Sequence, residues 1–171
     1  MDTRLRIALS DYCRRCQMTL ILMRHAEASS ASSDRDRPLT RYGRSQAKKM
    51  AHRFLSRSVT PDLILVSSAH RTQETGAIIL ETLSLSAPVR VEPSLYTGME
   101  DDYLAAVSRT EDSYRTVLLI GHNPSISGLA TVCAGFSVAF HPADAVFFRS
   151  AVDSWSDFAL TGSDRMDVFQ L

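Results

Sequence analysis

The chain has 171 residues, 44% of them hydrophobic and 22% charged, which is the composition of one ordinary globular domain. Its 19 lysines and arginines balance its 19 aspartates and glutamates, which argues against a nucleic-acid binder that depends on a broad basic surface. No apolar stretch approaches the ~20 residues of a membrane helix, and the polar residues 1–17 lack the apolar centre of a secretory signal, so we expect a cytoplasmic protein without a membrane partner.

The first 17 residues look unlike the rest of the chain. We expect residues 1–17 to be a disordered leader or a mis-assigned start, and residues 18–171 to form a single functional domain. Cys13 and Cys16 have the spacing of a metal or redox pair, but no second pair completes a zinc site. The sequence therefore predicts no metal there.

Apolar runs predict strands that alternate with helices. The predicted strands are a first one starting at Met18, then 63–66, an edge strand at 89–91, 116–120, and in the tail 145–148, 155–160 and a possible third at 166–169, the tail strands antiparallel at the sheet edge. The predicted helices are one capped by Thr40 and running to about Ser56, one over 71–83, one near 101–107, and one that Pro124 starts. The expected inward positions on the first two helices are Ala47, Met50, Ala51, Phe54 and Leu55, then Ala77, Ile78 and Leu80. This alternation favours a three-layer α/β/α sandwich with a mostly parallel central sheet.

Three of the predicted strands end in histidine or arginine. Arg24-His25 follows the first strand, Arg71 follows the second strand closely, and Gly121-His122 follows the strand at 116–120. Because strand carboxyl ends in an α/β sheet share one rim, where ligands bind, two arginines and two histidines are predicted to meet there. Such a pocket suits a phosphoryl group.

Phosphoryl transfer needs a nucleophile and positive donors on the equatorial oxygens. A neutral imidazole at His25 suits the first role, with its other ring nitrogen donating to a backbone carbonyl. The planar fork of an arginine suits the second role, and His122 is a further donor. Each signal alone has a plainer explanation, as a solvated pair, a turn, or N-capping by Ser67-Ser68, and it is their conjunction that favours a site. His52 and His141 lie outside these junctions and are predicted to be structural or surface residues.

The motifs resemble those of the histidine phosphatase superfamily, also called phosphoglycerate mutase-like. Leu22-Met23-Arg24-His25-Ala26-Glu27 is similar to the family's Arg-His-Gly signature, with alanine in place of the commoner glycine. Three further segments match in order: Arg37 to Ala47 resembles "RPLT..G..QA", Ser67 to Thr75 resembles "SSP..R..QT", and Ile120 to Pro124 resembles the second-histidine motif. The Gly-His-Asn-Pro form and the short length are typical of the SixA-type phosphohistidine phosphatases.

The resemblance implies a role for each matched residue. His25 would be phosphorylated transiently, and Arg24, Arg71 and His122 would bind the phosphoryl group. Asn123 and the Ser67 region would shape the pocket. It implies neither a metal nor an organic cofactor.

One departure from the family pattern bears on the substrate. Larger members carry an acid that protonates the leaving oxygen, and here Thr97 stands at that place. Glu100, Asp101 and Asp102 lie near, but their spacing favours the charged first turn of a helix. An alkoxide leaves poorly without an acid, whereas the imidazole of a phosphohistidine leaves easily. The chain also lacks a segment long enough for a lid, which predicts an open, shallow site.

We therefore expect a phosphohistidine phosphatase that acts through phospho-His25. Its partner would be a histidine phosphotransfer domain or a phosphocarrier, by resemblance only. Two alternatives stay open: a broad phosphatase of small phosphorylated metabolites, which becomes plausible if Glu100 or Asp101 reaches the leaving-group side of His25, and a non-catalytic phosphate-binding module.

Overall fold

The computed structural model describes residues 17–161 and 165–169, which form one six-stranded sheet with helices on both faces. The strands are β1 Met18–Arg24, β2 Leu63–Val66, β3 Val89–Val91, β4 Thr116–Gly121, β5 Ala145–Ser150 and β6 Arg165–Phe169, in the spatial order β3-β2-β4-β1-β5-β6. The first four neighbours are parallel, and β5 and β6 are added antiparallel at one edge. The mostly parallel sheet and two of the three predicted antiparallel tail strands are confirmed. The predicted leader and its cysteine pair lie outside the described residues, apart from position 17.

The described residues also form six helices. They are α1 Arg41–Ser56, α2 His70–Leu83, α3 Ser94–Thr97, α4 Glu100–Ser108, α5 Ser125–Ala134 and α6 Trp155–Thr161. Because successive side chains of a strand point to opposite faces, each buried strand contributes to two cores. Ile21 and Met23 of β1 pack with α1 and α2, while Leu20 and Leu22 pack with α4, α5 and α6. The three-layer α/β/α sandwich is confirmed. Among the described residues, none of the helices combines the length and the apolar character that a membrane span requires.

The start of α1 is determined locally. Thr40 has extended backbone geometry, and its hydroxyl accepts a hydrogen bond from the Gly43 N–H at 2.8 Å, so it is the predicted N-cap. Gly43 packs against the backbone carbonyl of Glu27, where a Cβ atom would collide. The helix is thereby fixed against the chain that follows β1.

Three local predictions were wrong. Residues 155–160 form part of helix α6, because Trp155 and Phe158, three residues apart, both turn into the core and Ser154 Oγ bonds the Asp157 N–H. Leu55 is 47% exposed and Ala77 is exposed, while Ile79 takes the buried position on α2. On both helices the buried face is narrower than predicted, because Phe54 and Ile78 are buried while Leu55 and Ala77 beside them are exposed. The helix predicted to start at Pro124 is confirmed, since Pro124 is the N-cap of α5 and its carbonyl accepts the Gly128 N–H at 3.0 Å.

Candidate active site

The three predicted strand ends meet at one edge of the sheet. Strand β4 lies between β1 and β2, and the register pairs Arg24 with Gly121 and Val66 with Ile120, so all three strands end at the same level. The rings of His25 and His122 have centroids 5.1 Å apart. The Arg71 guanidinium reaches His25 from the first turn of α2.

His25 is held in an orientation that leaves one ring nitrogen for attack. Its Nδ1 lies 2.7 Å from the carbonyl oxygen of Ala26, and since a carbonyl only accepts, Nδ1 carries the proton. Nε2 is then unprotonated, and its lone pair accepts a hydrogen bond from Arg71 Nε at 3.2 Å. Burial, followed by the charges of Arg71, Arg24 and Arg37, lowers the pKa of His25 to about 4 against the single favourable effect of the Ala26 carbonyl. The ring is neutral, as a nucleophile must be.

His122 forms the second wall of the site. Its Nε2 is 2.6 Å from Ser67 Oγ, and Ser67 is fully buried. Its backbone N–H donates to the hydroxyl of Tyr103 at 3.0 Å. Burial and the neighbouring His25 and Arg71 lower its pKa to about 3. Nδ1 of His122 is buried and has no hydrogen-bond partner among the described residues, so its hydrogen-bonding capacity is unused there.

The two arginines differ in how firmly they are held. Arg71 is 6% exposed, and its guanidinium donates to His25, to the carbonyl of Asp34 at 2.7 Å and to the carboxylate of Asp34 at 3.1 Å. Arg24 is half-buried; Nη1 donates to the carbonyl of Phe140 at 2.9 Å, and Nε is buried without a partner among the described residues. Both guanidiniums therefore lie beside His25, and each carries a donor that a phosphoryl oxygen can engage.

Asn123 lies at the edge of this group. It is exposed, its amide donates to the carbonyl of Phe140 at 3.0 Å, and its oxygen accepts from Ser127 at 2.7 Å. The Phe140 carbonyl thus accepts from both Arg24 and Asn123 and fixes the segment before β5 against the site. Of the predicted site residues, His25, Arg24, Arg71, His122 and Ser67 come together, while Asn123 is placed to support the rim.

Sequence reasoning missed a carboxylate that belongs to this group. Asp34 accepts hydrogen bonds from Arg71, from Arg37 at 3.0 Å and from the hydroxyl of Tyr96 at 2.9 Å. The Tyr96 ring meets His122 edge-on at 5.9 Å between centroids, and the Arg35 guanidinium lies 4.8 Å above it. Asp34 sits in the serine-rich stretch that the sequence identified only as a loop. Its single signal was its position three residues before the matched Arg37.

The carboxylates that the sequence singled out make no recorded contact with His25. The Asp102 carboxylate accepts the backbone N–H of Met99 at 2.9 Å, and Glu100 packs against Gly128 of α5. Asp101 lines a shallow groove between α4 and α6. The interpretation of these acids as the charged first turn of a helix agrees with these contacts.

The remaining histidines lie outside the centre. His52 is exposed on α1; His70 is 57% exposed beside Glu74; His141 is 83% exposed and contacts Asp144 at 3.2 Å. Within the described residues, no group of three or more His, Cys, Asp or Glu side chains could hold a metal ion.

The outer side of the site is open along the loop that carries Asp34. The Asp34 side chain is 54% exposed, and a groove of about 540 Å³ lies next to it, bordered by Arg35, Ser68 and His70. The groove has an apolar floor of Ala77, Leu80 and Val89. The buried Ser67, Arg71 and His122 form the inner wall of the site, and Asp34 lies on its exposed side.

Comparison with known proteins places this geometry among phosphatases. The model of the histidine phosphatase superfamily (branch 1) matches residues 20–97. Phosphohistidine phosphatase SixA of Escherichia coli is 32% identical over 124 residues, covering 69% of this chain and 76% of that protein. A chloroplast protein of Arabidopsis thaliana is 31% identical over 156 residues, covering 84% of this chain and 72% of that protein.

Solved structures agree with the sequence comparison. A protein of Nakamurella multipartitia assigned to the SixA phosphohistidine phosphatases has a TM-score of 0.75 and 30% identity, covering 90% of this chain and 96% of that one. The protein histidine phosphatase SixA complexed with tungstate has a TM-score of 0.71 and 26% identity, covering 77% of this chain and 87% of that one.

Proposed function

The chain belongs to the histidine phosphatase superfamily and is a phosphatase, and on that premise we propose that it hydrolyses phosphohistidine on a protein through a phospho-His25 intermediate. The observation that carries the proposal is the pair of contacts on the His25 ring. Nδ1 is tied to the Ala26 carbonyl, and Nε2 presents its lone pair beside the guanidinium of Arg71.

In the first step Nε2 of His25 attacks phosphorus, and the bond from phosphorus to the leaving group breaks. Arg24, Arg71 and Nδ1 of His122 surround the equatorial oxygens and stabilise their charge. The Ala26 carbonyl keeps the proton on Nδ1 and stabilises the positive ring that forms. In the second step water attacks phospho-His25, and His25 leaves as a neutral imidazole. The oxyanion in the tungstate complex of SixA supports a tetrahedral anion as ligand of such a site.

The substrate class follows from the leaving group. An ester needs a proton donor for its leaving oxygen, and Glu100, Asp101 and Asp102 are engaged elsewhere, while Asp34 is bonded to positive groups that keep it ionised. The imidazole of a phosphohistidine is a far better leaving group than an alkoxide. These contacts support phosphohistidine over alkyl phosphates.

The partner is proposed from the shape of the site. The open outer side beside Asp34 gives room for a protein surface that presents a phosphohistidine. A histidine phosphotransfer domain or a phosphocarrier, met in the cytoplasm, is the proposed partner.

The test is phosphate release by the wild type and by His25→Ala, from a phosphohistidine protein, from para-nitrophenyl phosphate and from a sugar phosphate. We expect release from phosphohistidine that disappears in the variant, with slow turnover of the sugar phosphate. His52→Ala is the matched control, because His52 is exposed and distant from the strand ends.

Two results would argue for the alternatives. Faster turnover of the sugar phosphate than of phosphohistidine would favour a small-molecule phosphatase. Tight phosphate binding with no turnover of any substrate would favour a binding module.

A further inference from the structure

A carboxylate lies at the exposed edge of the site, against the Arg71 guanidinium. Ser67, Arg71 and His122 close the inner wall and are 0%, 6% and 8% exposed, so the phosphoryl group binds against them. Asp34 lies on the outer side, with its side chain 54% exposed. Because attack is in line, the leaving group departs on the side of the phosphorus away from Nε2 of His25. Asp34 is bonded to the same Arg71 guanidinium that contacts this nitrogen, and its side chain is exposed there.

The Asp34 carboxylate has acceptor capacity left. Oδ2 takes two hydrogen bonds, from Arg71 Nη2 at 3.1 Å and from the Tyr96 hydroxyl at 2.9 Å. Among the described residues, Oδ1 takes one hydrogen bond, from Arg37 Nη1 at 3.0 Å. Since each carboxylate oxygen has two lone-pair sites, Oδ1 can accept one more donor from the exposed side.

The same contacts decide what Asp34 can do chemically. Hydrogen bonds from Arg37 and Tyr96, with the charge of Arg71, lower the pKa of Asp34 to about 2. It is therefore ionised near neutral pH and has no proton to give to a leaving oxygen. It is suited to a leaving group that brings its own N–H, and an imidazole ring protonated on its second nitrogen is such a group.

We propose that Asp34 determines specificity by accepting a hydrogen bond from the free ring N–H of the substrate's phosphoimidazolium. This inference rests on the proposed function. The bond from phosphorus to the substrate nitrogen breaks, its electron pair stays on that nitrogen, and phosphorus bonds to Nε2 of His25. The N–H that Asp34 holds stays on the other nitrogen, so the substrate leaves as a neutral imidazole and no general acid is needed.

Several charged and titratable groups surround Asp34 and the ring of His25. Arg37, Tyr96 and Arg71 contact Asp34, and Arg35 lies over Tyr96; Arg24 and His122 face His25 from β1 and β4. Among these, Asp34 is the anion beside the outer face, so it favours the protonated substrate ring. Removing the charge of Asp34 should therefore lower the pKa of the bound substrate ring. The substrate should then stop reacting at a lower pH on the alkaline side.

The experiment compares Asp34→Asn with the wild type on phosphoimidazole and on para-nitrophenyl phosphate, whose leaving group has no N–H. Loss of a charged hydrogen bond should lower kcat/KM for phosphoimidazole about tenfold or more. The loss for para-nitrophenyl phosphate should be several times smaller than the loss for phosphoimidazole. The alkaline limb of kcat for phosphoimidazole, which reports the enzyme–substrate complex, should move to lower pH in the variant. Asp36→Asn is the matched control, since Asp36 lies two residues away, is exposed, and makes no recorded contact with Arg71.

Each result decides the question. Equal losses on both substrates would mean that Asp34 only positions Arg71. Unchanged activity and an unchanged alkaline limb would mean that Asp34 does not contact the substrate. Either result overturns this inference and leaves the proposed function standing. A wild type that releases no phosphate from phosphoimidazole or from a phosphohistidine protein overturns the proposed function together with this inference.

Discussion

Tyr103 connects the core of α4 to the second histidine of the site. It is 1% exposed, its hydroxyl accepts the backbone N–H of His122 at 3.0 Å, and the same hydroxyl donates to the carbonyl of Leu95 at 2.8 Å. Burial raises its pKa to about 12, so the phenol keeps its proton. Gly121 lies directly against the ring, where a Cβ atom would collide. The perturbation we consider is Tyr103→Phe.

The magnitude follows from the two groups that lose their partner. The N–H of His122 and the carbonyl of Leu95 are both buried, and each buried unsatisfied group costs about 1–3 kcal/mol. The ring still fills its space, so no cavity adds to the cost. We expect the free energy of unfolding to fall by about 3 kcal/mol. For a chain of 171 residues, that is a drop in Tm of about 6–12 °C.

The assay is urea denaturation followed by circular dichroism, with Tyr42→Phe as the control. Tyr42 is 57% exposed, and its substitution should change the free energy of unfolding by less than about 0.5 kcal/mol. Because His122 loses an anchor, kcat/KM should also fall in Tyr103→Phe at temperatures where both proteins are folded. If the two variants unfold at the same urea concentration, the assignment of these hydrogen bonds is refuted.

Three further predictions concern the site and its frame. In Ser67→Ala, Nε2 of His122 loses its buried partner at 2.6 Å, and kcat/KM for phosphohistidine should fall about tenfold, the equivalent of one hydrogen bond. In Thr40→Ala, the Gly43 N–H loses its cap, and thermal unfolding should show a loss of about 1 kcal/mol. The ring of His25 should take up its proton near pH 4 rather than 6.5 in an NMR titration. Since its folded-state pKa lies below its unfolded value, the corresponding stability is present above pH 6.5 and is lost as the pH falls toward 4.

Each of these has a control or a contrary result. Ser127→Ala changes a hydroxyl bonded only to the edge residue Asn123, and a loss of activity as large as that of Ser67→Ala would count against the role of Ser67. Thr60→Ala removes an exposed threonine outside any helix, and an equal loss of stability there would contradict the capping argument. A His25 ring that titrates near 6.5 would mean that burial and the arginines do not act on it.

The sequence predicted the site because the chemistry lies at strand ends. The runs at 63–66 and 117–120 are short, wholly apolar and bounded by polar residues or glycine, so both strands and the residues that follow them could be placed closely. The prediction from sequence was wrong where a strand and a helix have similar apolar patterns. Residues 155–160 have the apolar content of a strand, and the Ser154 cap on the Asp157 N–H together with the packing of Trp155 and Phe158 against α4 and α5 makes them a helix.

By itself, the sequence determined the fold class and brought His25, Arg24, Arg71 and His122 to one rim, because parallel strands share their carboxyl edge. Only the tertiary structure decided which nitrogen of His25 is free, since that depends on the position of the Ala26 carbonyl. It also brought Asp34 into the site, across 37 residues of chain from Arg71. Hydrogen-bond partners distant in sequence follow from how loops fold over the sheet, which no local pattern records.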